Sequence, residues 1–89
     1  MDTAPAIDHD AIAEKVRAVL GQHARLSAGV DSLTDDSDLY EAGLTSLTTV
    51  NLMLALEDQF NVEFDDKLLK RKTFSSIRAL SDAIQGLLA

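Results

Sequence analysis

The sequence predicts an all-α fold, a bundle of three main helices and one short third helix, with a long loop between helices 1 and 2. Three observations predict it. Apolar residues recur at three- and four-residue spacing over three separate stretches. No run alternates apolar and polar residues for long enough to make a useful strand. Between the first two helical stretches lies a segment rich in turn residues, about 25–45. The 89 residues suit one domain, 1–89, with an ordered core over about 8–86.

The first helix is expected over residues 8–24. Ile12, Val16, Val19, Leu20 and His23 recur on one face, with Glu14, Lys15 and Arg17 on the other. Asp8 or Asp10 can cap its start, where a negative charge suits the positive helix end. The loop follows. Gly29, Gly43 and the run from Asp31 to Asp38 carry its turns, and Val30, Leu33, Leu39 and Leu44 are spaced to pin it on the core. Long connections of this kind are often functional. The second helix is expected over 46–60 and a short, irregular third over 66–70. The last begins after Thr73, a candidate N-cap, and carries Ile77, Leu80, Ile84 and Leu87 on one stripe.

The second helix has more apolar surface than a small bundle buries. Leu52, Leu56 and Phe60 share one face, with Thr49 and Met53 beside them. Leu47, Val50 and Leu54 form a second stripe on the opposite side. Either the long loop folds over that stripe, using Leu39 or Leu44, or the stripe is a docking surface. Pattern alone does not choose.

Composition removes several function classes. Hydrophobic residues make up 46% of the chain, which sets it apart from disordered tails. Cysteine is absent, so disulfides and thiolate zinc sites are excluded. His9 and His23 are far apart and lack a ligand cluster, so no metal site is expected. A formal charge of −7 argues against nucleic acid and anionic membrane surfaces. It favours basic partner surfaces. The first five residues carry neither a basic region nor an apolar one, and no apolar run would span a bilayer. The expected location is the cytoplasm.

Ser46 opens the second helix, and its plain role is that of an N-cap. The position also suits one modification. A helix start presents unpaired N–H groups and a positive dipole end, so a phosphodiester on Ser46 would be favoured there. Gly43 lets the backbone turn sharply into the helix. No base stands near in sequence to activate Ser46 as a nucleophile of its own.

At these residues the sequence resembles the acyl carrier protein family, including peptidyl and aminoacyl carriers. The family's pattern is a loop ending in Asp-Leu, then Gly-Leu, a variable residue, Ser and Leu. Here it reads Asp38-Leu39, Gly43-Leu44, Thr45, Ser46 and Leu47. The helix from Thr48 to Phe60, the stretch Val62 to Asp66 and the stretch Thr73 to Ile77 also match the family's pattern. The resemblance covers about residues 8 to 86.

The resemblance implies a four-helix carrier that is not an enzyme. It implies a 4'-phosphopantetheine arm, moved from coenzyme A to Ser46 by a phosphopantetheinyl transferase, whose thiol holds cargo as a thioester. It also implies that Leu47, Val50 and Leu54 face partner enzymes. Two departures stand out. Many members have Asp where this chain has Thr45. Fatty-acid carriers are acidic in the third-helix region, whereas this chain has Lys67, Lys70, Arg71 and Lys72. Lys70, Arg71 and Lys72 are read either as a partner-selecting patch or as helix-end cations that complement the negative dipole end and cover apolar surface with their stems.

The combination is most similar to bacterial stand-alone aminoacyl carriers. These take a small amino acid such as glycine or alanine from a class II aminoacyl-tRNA-synthetase-like ligase and present it to an acceptor enzyme. The alternatives are an acyl carrier of the fatty-acid or polyketide type, an unmodified helical interaction module and a small hydrolase. The chain is expected to be a monomer alone.

Overall fold

A computed structural model describes residues 9–24, 26 and 29–88. Its helices are α1 (His9–His23), α2 (Ser46–Phe60) and α3 (Ile77–Leu88). Short 3-10 turns lie at Val30–Ser32, Asp66–Leu68 and Arg71–Phe74. Among the described residues there is no strand. The expected short third helix is therefore two 3-10 turns in succession. Repeats of that geometry rarely run longer, because side chains three apart eclipse.

Helix α1 packs against both α2 and α3. Val16 and Leu20 meet Leu52 and Leu56 of α2 and Ile77, Leu80 and Ile84 of α3 in one core, and all of them are fully buried. His23 is exposed, although its spacing placed it on the apolar stripe. It lies in the last turn of α1, where an imidazole suits the negative helix end. Asp10 lies inside α1, in its first turn, and Asp8 is outside the described residues. Leu87, expected in the core, is partly buried against it.

Helix α2 ends because Asn61 takes the left-handed conformation, φ 54° and ψ 50°, which Asn tolerates better than most residues. The Glu57 carboxylate accepts the N–H of Phe64 at 2.8 Å, fixing the chain's exit. Phe64 then stacks on Phe74 with ring centroids 5.7 Å apart, which ties this segment to the approach to α3. Thr73 does not cap α3. It is buried within the 3-10 turn Arg71–Phe74, and Ser76 accepts the N–H of Ala79 at the start of α3.

Two arginines staple the long loop. Arg17, read from the sequence as an outer-face residue, donates to the carbonyl of Val30 at 3.0 Å and pairs with Asp35 at 2.9 Å. Arg78 grips both oxygens of Asp36, at 2.6 and 3.1 Å. Backbone N–H groups of Leu39 and Arg78 donate to Ser75 and Asp35. Leu39 and Leu44 are buried in the core, with Val30 and Leu33 packed against it. The loop is thus held at both ends of its path, and its last residues deliver α2 in a fixed place.

Candidate functional site

The approach to Ser46 is built one hydrogen bond at a time. Asp38 Oδ1 accepts the N–H of Tyr40 at 2.9 Å, which starts a turn. Leu39, fully buried, anchors that turn, and the N–H of Leu44 returns to its carbonyl. Gly43 sits at φ 120°, a conformation any Cβ would strain, so the glycine is required by the turn.

The N-cap is Thr45, not Ser46. Thr45 Oγ1 accepts the N–H of Thr48 at 3.2 Å, and Thr48 Oγ1 accepts the N–H of Thr45 at 2.8 Å, a reciprocal capping box. Both residues are hydroxylic, and the cap falls one position earlier than the spacing suggested. The consequence is chemical. Ser46 is exposed at the first helical position, and among the described residues its hydroxyl has no hydrogen-bond partner. No acidic residue stands in the first turn of α2, so nothing of the chain's own competes for its positive end. These residues fit a phosphodiester on Ser46.

Beside Ser46 lies a groove of about 410 Å³ between α2 and the segment 69–74. Thr49, Val50 and Met53 line one wall, and Leu69, Lys70, Arg71 and Phe74 line the other, with Tyr40 at the edge. The Arg71 guanidinium lies 3.9 Å from the centroid of the Tyr40 ring, a cation–π contact. His23 does not line the groove, and His9 offers no described side chain. Among the described residues no cluster of three His, Cys, Asp or Glu side chains could hold a metal ion.

Of the residues singled out from sequence, Ser46, Val50, Lys70 and Arg71 come together around this groove. Leu47, Val50 and Leu54 are 73%, 50% and 54% exposed. The loop does not cover that stripe, because Leu39 and Leu44 point into the core instead. Lys72 is exposed and outside the groove. Tyr40, Met53 and Leu69 were missed as parts of the site. Met53 was placed only beside the core face of α2. Leu69, 49% exposed beside Leu68, carried the available signal, since one of two adjacent leucines in a short turn must face outward.

A small helical bundle that presents a free hydroxyl at a helix start, beside an apolar groove, has the form of a carrier that is modified rather than one that catalyses. Residues 10–84 match the family of the phosphopantetheine attachment site, and the chain belongs to that family. The group it carries is 4'-phosphopantetheine. The chain is 44% identical over 73 residues to an aminoacyl carrier protein of Agrobacterium fabrum, covering 82% of this chain and 88% of that one.

Its fold matches a chain in the crystal structure of engineered Bradyrhizobium japonicum glycine:[carrier protein] ligase complexed with carrier protein from Agrobacterium tumefaciens and ATP. The TM-score is 0.80 at 42% identity, over 83% of this chain and 96% of that one. A solution structure of an Agrobacterium tumefaciens protein matches with a TM-score of 0.71 at 42% identity, over 85% and 92%. A Bradyrhizobium japonicum glycine:[carrier protein] ligase complexed with glycylated carrier protein includes a chain that matches with a TM-score of 0.62 at 28% identity, over 84% and 96%. The protein is an aminoacyl-carrier-like member of the acyl carrier family, a substrate of enzymes rather than an enzyme. No helix among the described residues is long and apolar enough to cross a membrane.

Proposed function

We propose that Ser46 carries the 4'-phosphopantetheine arm and that residues 1–89 act as one cytoplasmic, monomeric carrier of a small amino acid, glycine or alanine. The observation that carries the attachment site is the Ser46 hydroxyl, exposed at the first position of α2 and without a hydrogen-bond partner among the described residues. Thr45 has taken over the capping role, which leaves Ser46 free to react. On attachment, Ser46 Oγ forms one bond to phosphorus. The nucleotide part of coenzyme A leaves, and the hydroxyl proton passes to a base of the phosphopantetheinyl transferase. The arm, once attached, supplies a thiol that holds cargo as a thioester.

The 44% identity to an aminoacyl carrier protein, and the likeness to carriers solved with native or engineered glycine:[carrier protein] ligase, support the cargo class. A synthetase-like ligase loads this chain, and a downstream acceptor enzyme unloads it. Leu47, Val50 and Leu54 form the apolar centre of the docking face, and Lys70, Arg71 and Lys72 are the cations that select partners. Thr45 replaces the acidic residue common in the family, so the transferase meets a hydroxyl rather than a carboxylate there.

The reading is tested by giving holo protein, ATP and single amino acids to a glycine:[carrier protein] ligase. A hydroxylamine-labile mass gain with glycine or alanine supports the aminoacyl reading. Loading by fatty-acyl donors alone, with every amino acid refused, overturns it.

A further inference from the structure

Among the described residues, the charged side chains that line the groove beside Ser46 are Lys70 and Arg71, both cationic, and no carboxylate lines it. Arg71 is stacked over Tyr40 at 3.9 Å, so its charge is held at the groove's edge. Inside, Met53, Leu69 and Phe74 present apolar surface. An uncharged group that enters gains apolar burial. A cationic group loses hydration there and meets two like charges, with the phosphodiester on Ser46, already met by the helix N–H groups, as the one anion nearby. The first turn of α2 offers its own N–H groups to a phosphodiester, so neither cation is needed to neutralise one.

We propose that Lys70 and Arg71 act as a charge filter on this groove, admitting uncharged cargo tethered to Ser46 and holding the α-ammonium of an aminoacyl cargo out in solvent. The inference rests on attachment at Ser46. Tyr40 is the platform that holds Arg71 in position. The functional result is that an aminoacyl cargo stays presented to the acceptor enzyme, whereas a neutral cargo of the same size folds back against α2. Lys70 and Arg71 are therefore positioning residues for cargo as well as candidate partner contacts.

The test uses two isosteric cargoes. Propionyl and glycyl groups differ by a methyl in place of an ammonium. The full chain is loaded from propionyl- or glycyl-coenzyme A by a broad-specificity transferase, and intact mass establishes loading. NMR then follows the Tyr40 ring, the chain's single tyrosine, and the Met53 methyl at slightly acidic pH. Propionyl cargo shifts both signals relative to the unloaded holo protein, and glycyl cargo leaves them in place. In Arg71→Gln and Lys70→Gln, glycyl cargo enters the groove about two- to fivefold more per cation removed, the effect of one partly exposed charge. Propionyl cargo responds little.

Both positions are exposed, and circular dichroism checks the fold of each variant. Equal shifts from both cargoes in the wild-type chain overturn the filter. So does the absence of shifts from either cargo, or an equal response of both cargoes to the substitutions. A chain that gains no mass overturns attachment itself and the filter with it, and the mass readout separates that failure from the others.

Discussion

Replacing Thr45 by alanine should destabilise the protein more than replacing Ser46, the proposed site of the arm. Thr45 Oγ1 accepts the N–H of Thr48 at 3.2 Å and contacts Thr48 Oγ1 at 3.0 Å. Thr48 Oγ1 in turn accepts the Thr45 N–H. Thr45→Ala removes the first two contacts and leaves one helix N–H without its cap. Loss of such a cap costs about 1 kcal/mol, with a range of roughly 0.5–2. For a chain of this length that lowers the melting temperature by about 4–8 °C per kcal/mol. Ser46→Ala removes no hydrogen bond and no buried surface, so its cost stays within about 0.5 kcal/mol. Urea or thermal denaturation of the apo protein, followed by circular dichroism, measures both. A Ser46→Ala loss as large as that of Thr45→Ala would refute the assignment of the cap, and with it the argument that frees Ser46 for modification.

Three further outcomes are expected. Leu39→Ala opens a cavity at a fully buried site and should cost about 2–5 kcal/mol, measurable as a drop in the urea midpoint. A variant as stable as wild type would mean the loop is not held by its plug. Val50→Ala and Leu54→Ala, at half-exposed positions, should change stability by less than about 0.5 kcal/mol. Each should raise the KM for ligase loading about fivefold or more if it anchors the interface; unchanged KM values would remove the α2 stripe from the docking face. Asp36 is held below its ordinary value, first by the Arg78 hydrogen bond, against the opposing effect of burial and with the Arg78 charge assisting. The folded state then binds that proton less readily than the unfolded state. The pair stabilises above the unfolded value, about pH 4, and the contribution disappears as pH falls through the folded value. Arg78→Ala should therefore flatten the acid limb of the stability curve, modestly because the pair is exposed. An unchanged limb would remove the pair from the account.

The sequence marked α2 from Ser46 to Phe60 because its two apolar stripes and hydroxylic start are local signals. Leu52, Leu56, Ile77, Leu80 and Ile84 were likewise readable from spacing. What sequence could not supply were features made by distant residues meeting. The groove needs Tyr40 from the loop, Val50 and Met53 from α2, Leu69 and Lys70 from between two 3-10 turns and Arg71 from the start of the second of these, and no spacing rule links these. Arg17 looked like a solvent residue because its partners, Val30 and Asp35, lie beyond the helix. The cap moved from Ser46 to Thr45, and from Thr73 to Ser76, because several hydroxyls stand close together at each helix start. Propensity does not choose between neighbours of the same chemistry.

The most direct measurement is the intact mass of the wild-type chain and of Ser46→Ala after incubation with coenzyme A, magnesium and a broad-specificity phosphopantetheinyl transferase. The account predicts a gain of one phosphopantetheinyl group in the wild type and none in the variant, with both chains folded. A folded wild-type chain that gains no mass with several transferases, or a Ser46→Ala chain that gains it equally, would contradict the placement of the arm on Ser46.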